Sequence, residues 1–195
     1  AITEVGIDAD GLCTDKEIHT TLAMVHTYPD GERDFSFYRN PGADMMLNKE
    51  EICEELMKET KIFHFGTLSM THEGVREATK EGIRIAEESC AIISFDPNLR
   101  PPLWNSLDKA KEQVLYGLGH CQILKISDNE IQWLTGEEDY TAGVNWIRER
   151  YQIPLILVSM GKEGSRAYYN GSIVEVKPFL QKNTIETTGA GDTFC

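Results

Sequence analysis

The chain has 195 residues, with 19 Lys plus Arg against 32 Asp plus Glu, a formal net charge of −13 with His neutral. Apolar residues make up 41% and charged residues 26%, an ordinary globular composition that excludes wholesale disorder and suits one domain with a small appendage. The acidic balance and the lack of a Lys/Arg cluster argue against nucleic acid, and no apolar run nears the ~20 residues that cross a bilayer, so no membrane partner is expected.

The opening AITEVGIDADG has neither the basic start nor the apolar stretch of a signal peptide. The cysteines Cys13, Cys53, Cys90, Cys121 and Cys195 are odd in number, scattered and free of any CxxC, which argues against a disulfide framework or zinc ribbon. A reducing, cytoplasmic location fits. The chain starts with Ala and stops four residues after a Gly-Ala-Gly run that reads as a helix entrance, so both ends are expected to be truncated.

In chain order, Thr20–His26 reads as a strand and Tyr28-Pro29-Asp30-Gly31 as a turn. Asp34–Arg39 alternates Phe35 and Phe37 with polar neighbours, which completes a β-hairpin closed by Asn40-Pro41-Gly42. Asn48 caps a predicted helix over Lys49–Glu59, with Ile52, Cys53, Leu56 and Met57 on one face and Glu50, Glu51, Glu54 and Glu55 as a solvated face. Strand Ile62–Phe65 places His64 as a core histidine. Helix His72–Ser89 carries Val75, Ala78, Gly82, Ile85 and Ala86 inward. Strand Ala91–Phe95, helix Leu107–Leu118 with Leu107, Val114 and Leu118 aligned, and strand Ile123–Ile126 follow. Short helices over Asn129–Leu134 and Thr141–Tyr151 precede strand Leu155–Ser159. Ser165–Tyr169 and Ser172–Val176 flank the hairpin signal Asn170-Gly171.

Strands alternating with such helices predict an α/β fold, a mostly parallel sheet with helices on both faces. The early hairpin stands outside that series and reads as a flap or lid. The division expected is 1–19 as the start of the core, 20–47 as the hairpin, and 48–195 as the α/β core. Ligands of such sheets bind at the carboxyl ends of strands, and the residues there are polar or Gly-rich.

Thr187-Thr188-Gly189-Ala190-Gly191-Asp192 lets backbone N–H groups converge on an anion at a helix entrance. An Asp directly behind such a nest repels a bound anion, but it makes sense as the base for a hydroxyl that attacks a phosphate. A plain Gly-rich turn with Asp as helix cap is the other reading. GxxxxGK[ST] and GxGxxG are absent, which argues against a P-loop and a dinucleotide fingerprint. Ser159-Met160-Gly161-Lys162-Glu163-Gly164 can admit a phosphate or ribose close to its backbone, or be a tight strand-to-strand turn. In Asp96-Pro97-Asn98-Leu99-Arg100-Pro101-Pro102, Arg100 can clamp a phosphate or pair with Asp96. Glu130 can face a hydrated Mg²⁺ or close a capping box with Ser127, and both can hold together. His and Cys show no metal-ligand spacing.

Thr187–Phe194 resembles the C-terminal signature of ribokinase-like (PfkB) sugar kinases. Asp96-Pro97-Asn98-Leu99-Arg100 with Leu103-Trp104, Leu124–Glu130 with Leu134-Thr135-Gly136, and Phe35–Asp44 are similar to the fructokinase and 2-keto-3-deoxygluconate kinase branch. The resemblance spans essentially the whole chain and implies a ribokinase-like fold and ATP-dependent phosphorylation of a sugar hydroxyl, with fructose first. It implies Asp192 as base and the Gly189, Ala190 and Gly191 amides as anion hole. Ser159, Gly161, Gly164, Lys125 and Ser127 would lie on the nucleotide, and Arg100, Phe37, Arg39 and Asn98 on the substrate. Glu130 would act on Mg²⁺ through water. ATP and Mg²⁺ are the implied cofactors, with a monovalent cation left open.

The hairpin matches the family's lid, often also its dimer contact, and an exposed apolar face at Phe35 and Phe37 would suit a homodimer. The family's first strand, its Gly-Gly segment and the long helix after the Gly-Ala-Gly-Asp signature are not in this sequence. Two further readings stay open. One is a kinase for 2-keto-3-deoxygluconate or a nucleoside-like sugar, the acid calling for a fixed cation near Arg39 and Arg100. The other is a non-catalytic fragment that binds ligand or dimerises.

Overall fold

The computed structural model describes residues 2–28, 33–179 and 188–195. The expected turn at Pro29-Asp30-Gly31 and residue Thr187 lie outside them. Strands β1 (Leu22–Thr27) and β2 (Arg33–Tyr38) pair antiparallel from Leu22↔Tyr38 to Thr27↔Arg33, as the alternation of Phe35 and Phe37 predicts. Opposite residues share a face, so Ala23 and Val25 stand with Phe35 and Phe37. Phe35 and Phe37 are only half-exposed and stack on each other, with Val25 beside them 44% exposed, whereas Leu22, Met24 and Tyr38 on the other face are 57%, 60% and 57% exposed. The more exposed apolar face is therefore that of Leu22 and Tyr38. Period-2 alternation finds two faces but not which one meets the core.

The helix predicted over Lys49–Glu59 is broken. A 3₁₀ turn at Lys49–Glu51 ends at extended Ile52, and α1 (Glu54–Glu59) starts again after Cys53. Asn48 starts the first piece as expected, its N–H donating to the Glu51 carboxylate at 2.9 Å. Cys53 and Leu56 are exposed, so this segment has little apolar stripe to bury, and a short helix without one is marginal. Glu50, Glu51, Glu54 and Glu55 are exposed as expected.

The core sheet follows: β3 (Ile62–Gly66), α2 (Glu73–Glu88), β4 (Ile92–Asp96), α3 (Leu107–His120), β5 (Ile123–Ser127), α4 (Asp128–Thr135), α5 (Tyr140–Tyr151), β6 (Leu155–Ser159), β7 (Ser165–Tyr169) and β8 (Ser172–Val176). A five-residue helix, α6 (Ala190–Phe194), ends the chain. Strand order is β3-β4-β5-β6-β7-β8, with β3 to β6 parallel and the β7/β8 hairpin antiparallel. This is a mixed sheet with the expected parallel core.

Right-handed crossovers that always step in one direction place every connecting helix on the same side of the sheet. Accordingly Phe65, Ile93, Phe95, Leu124, Ile126, Ile156 and Val158 form one buried core with Ile83 of α2, Val114 and Leu118 of α3, Ile131 of α4 and Ile147 of α5. Among the described residues no second helical layer covers the alternate positions: Ile62 is 57% and Ile92 44% exposed. His64 belongs to this open face and is exposed, not a core histidine; its Nδ1 lies 3.0 Å from Ser94 Oγ on the next strand. Leu107 is likewise exposed: it keeps helical spacing with Ala110, Val114 and Leu118, but burial along α3 begins only at Ala110.

Candidate active site

The carboxyl ends of β3 and β4, the loop after each and α6 enclose a cavity of about 600 Å³. Asp192 lines it, together with Thr67, Ser69, Asp96 and Asn98. Gly189 is the N-cap of α6 at φ 76°, a left-handed conformation that costs a glycine least, and it sets Ala190, Gly191 and Asp192 in the first turn. With only five residues α6 has a small dipole, so any charge at this turn must come from side chains. Lys125 supplies it: a Cβ placed on Gly191 would sit 3.1 Å from its Nζ.

Lys125 is held from below. Its Nζ donates to Asp96 Oδ2 at 2.9 Å, and both side chains are buried, 8% and 4% exposed. Asp96 Oδ1 accepts the Asn98 N–H at 3.2 Å and so fixes Asn98 in a left-handed conformation at φ 42°. Asn98 Nδ2 in turn donates to Asp192 Oδ1 at 3.1 Å. One neutral donor on one carboxylate oxygen orients the other without neutralising it. Asp96 therefore links the cation under the Gly turn to the carboxylate above it. Cys195 Sγ donates to Asp96 Oδ2 at 3.5 Å, and burial together with that carboxylate pushes its thiol up to about 11.

The structure brings Asp192, Gly189, Ala190, Gly191, Lys125 and Asn98 together. Arg100 does not pair with Asp96. Its Nη1 donates to Leu99 O at 3.1 Å, and its guanidinium lies 5.9 Å from the Phe35 ring, which ties the core loop to the hairpin. Asp96 is already committed to Lys125 on the adjacent strand, one residue beyond the register pair Phe95↔Leu124, rather than to the arginine four residues along the chain.

Glu130 forms the expected capping box. Its Oε2 accepts from Ser127 N at 2.9 Å and Ser127 Oγ at 2.8 Å, while Oε1 accepts from Leu99 N at 2.7 Å. Oε1 thus keeps one lone pair for a metal-bound water. Ser127 and Ser159 are register partners at the ends of β5 and β6. The following turn places Gly164 at φ 100°, where a Cβ would stand 2.2 Å from Val176 O, so only glycine fits. Ser159, Gly161 and Gly164 share the sheet edge with Asp192 but do not line its cavity.

Phe37 and Arg39 line a separate cavity of about 410 Å³ at the hairpin base. Arg39 is 5% exposed and bound to Asp44, Thr71 and Leu68. Burial alone would raise the Asp44 carboxyl, but its hydrogen bonds from Arg39 and Thr21 hold it below the usual carboxylate range.

Asp96 was legible only as a strand-end residue, because its partner is set by sheet register. His64 and Ser94 on the cavity wall carried no functional signal in the sequence. No group of three or more His, Cys, Asp or Glu positioned for a metal occurs among the described residues. All five cysteines are free, and no described helix is long and apolar enough to cross a membrane.

A probable fructokinase of Arabidopsis thaliana, fructokinase-4, is 39% identical over 192 residues, 97% of this chain and 58% of the relative. Fructokinase from Xylella fastidiosa superimposes with TM-score 0.79 at 32% identity, over 90% of this chain and 56% of that one. A fructokinase double mutant from Vibrio cholerae O395, in a fructose-, ADP- and potassium-bound form, gives TM-score 0.87 at 29% identity over 99% and 61%. The chain thus spans less than two thirds of the length of each of these relatives. The pfkB family carbohydrate kinase profile matches residues 1–195, and the chain belongs to that family, with its ribokinase-like α/β fold.

Proposed function

We propose that this protein transfers the terminal phosphoryl group of ATP to a hydroxyl of fructose. The observation that carries the reading is Asp192: an exposed carboxylate in the first turn behind Gly189, lining a cavity, with one oxygen held by Asn98. Such a carboxylate can take the proton of an attacking hydroxyl, and the amides of Gly189, Ala190 and Gly191 face the charge that develops on the transferred group. Lys125 adds positive charge beneath that turn, partly offset by Asp96. Ser127, Ser159, Gly161 and Gly164 on the same sheet edge are the proposed nucleotide contacts. Mg²⁺ would neutralise phosphate charge, and Glu130 Oε1 has the free lone pair to hold one of its waters. A monovalent cation is part of the proposal through the potassium-bound Vibrio relative.

Loose phosphoryl transfer needs positioning and charge more than covalent chemistry, which is what these residues offer. The hairpin is proposed as a lid that keeps water from competing with the sugar, and its Leu22, Met24 and Tyr38 face as the contact of a homodimer, readable by sedimentation. Five free cysteines suit a reducing, cytoplasmic compartment. The test is ADP formation with ATP, Mg²⁺ and a panel of fructose, glucose, ribose, 2-keto-3-deoxygluconate and a nucleoside. Turnover greatest with fructose supports the reading. Turnover greatest with another sugar replaces the substrate, and sugar-independent ADP release contradicts the kinase reading.

A further inference from the structure

The residues lining the cavity at the hairpin base include Phe37, Trp104, Asn40, Asn105, Thr71, Arg39 and His72. Aromatic faces with amides and a hydroxyl suit a polyhydroxylated ring. Arg39 alone among these carries a fixed charge, and that charge is spent internally. Its Nε donates to Asp44 Oδ2 at 2.8 Å and its Nη2 forms an ion pair with the same oxygen at 2.7 Å, while Nη1 donates to Thr71 Oγ1 at 2.9 Å and Nη2 to Leu68 O at 3.0 Å. The Thr21 hydroxyl holds the other Asp44 oxygen, so the carboxylate cannot turn away. Gly42 makes room for this, since a Cβ there would collide with Thr21 Oγ1. A carboxylate entering the cavity would lose its water and meet an arginine that is already paired.

We propose that Asp44 is a specificity-determining residue: by neutralising Arg39 it makes the hairpin-side cavity accept the neutral polyol end of a sugar and reject a carboxylated one. The inference rests on the sugar-kinase reading above and adds to it the class of sugar and the residue that selects it. Selectivity of this kind comes from withholding a partner as much as from offering one.

The test is calorimetric binding of D-fructose and of 2-keto-3-deoxygluconate to the purified chain at pH 8, to keep histidine charge out of the comparison. The wild-type chain is expected to favour fructose at least ~tenfold, and Asp44→Asn to raise the acid-to-fructose ratio of association constants by ~tenfold or more, the size of one charge-assisted hydrogen bond. Adding Arg39→Gln to Asp44→Asn should abolish the gain, which a merely structural role of Asp44 would not require. Where Asp44→Asn fails to fold by circular dichroism, Asp44→Ser carries the same comparison. Wild-type binding of the acid as tight as fructose overturns the inference. So does a folded Asp44 variant that binds fructose with an unchanged ratio. Binding of neither sugar by the wild-type chain overturns the sugar reading and this inference together.

Discussion

Replacing Lys125 with Met removes one partner of a buried ion pair and leaves the other in place. Lys125 Nζ and Asp96 Oδ2 are 2.9 Å apart with both side chains less than a tenth exposed, so water replaces the lost interaction only in part. Asp96 would retain the Asn98 N–H at 3.2 Å and the Cys195 thiol at 3.5 Å, both weaker donors than an ammonium. Stranding a buried charge in this way costs about 3–5 kcal/mol, a large part of the 5–15 kcal/mol that holds a typical domain. In a chain of this size each kcal/mol shifts the melting midpoint by roughly 2–4 °C, so a fall of roughly 6–20 °C is expected. The double variant Lys125→Met/Asp96→Leu removes both charges and should recover most of that loss. Differential scanning calorimetry of the three proteins reads both effects. A single variant that melts within ~2 °C of wild type, or a double variant no better than the single, would refute the assignment of Asp96–Lys125 as the charge pair beneath the site.

The Asp44 carboxyl lies below its ordinary value, so its contribution to stability is complete above the unfolded pKa near ~3.9 and is lost as pH falls through the lower folded value. The melting gap between wild type and Asp44→Asn should therefore stay constant from pH 7 to about 5 and close toward pH 2.5. Gly164→Ala combines φ 100° with a Cβ placed 2.2 Å from Val176 O, and it should destabilise by at least the ~1–3 kcal/mol of backbone strain alone, read by urea unfolding. Burial pushes the Cys121 thiol up to about 12, and Cys195 rises to about 11. Iodoacetamide at pH 8 should label exposed Cys13, Cys53 and Cys90 first, Cys195 slowly and Cys121 only on unfolding, read by peptide mass spectrometry.

The parallel strands were legible because β3 to β6 read as short, nearly continuous apolar runs, and α2 because Val75, Ala78, Gly82, Ile85 and Ala86 keep helical spacing. The Gly189–Asp192 turn was legible because glycine spacing fixes backbone geometry locally. What escaped depends on partners distant in sequence. Arg100 and Lys125 both offer a cation to Asp96, and register across the sheet favours Lys125. Arg39 reads as a substrate cation until Asp44, five residues on, and the sequence-distant Thr71 are seen to surround it. His64 sits in an apolar run, and only the one-directional strand order shows that its face is open. The break at Ile52-Cys53 follows from a weak apolar stripe over-read as one helix.

Asp192 is the proposed base for phosphoryl transfer to a sugar. Its most direct test is ³¹P NMR of ATP, Mg²⁺ and fructose with the wild-type chain and with Asp192→Asn, the amide keeping the Asn98 contact while losing the proton acceptor. A fructose phosphate resonance that appears with wild type and grows at least ~10²-fold more slowly with the variant is the expected result. Equal rates in the two proteins would contradict it.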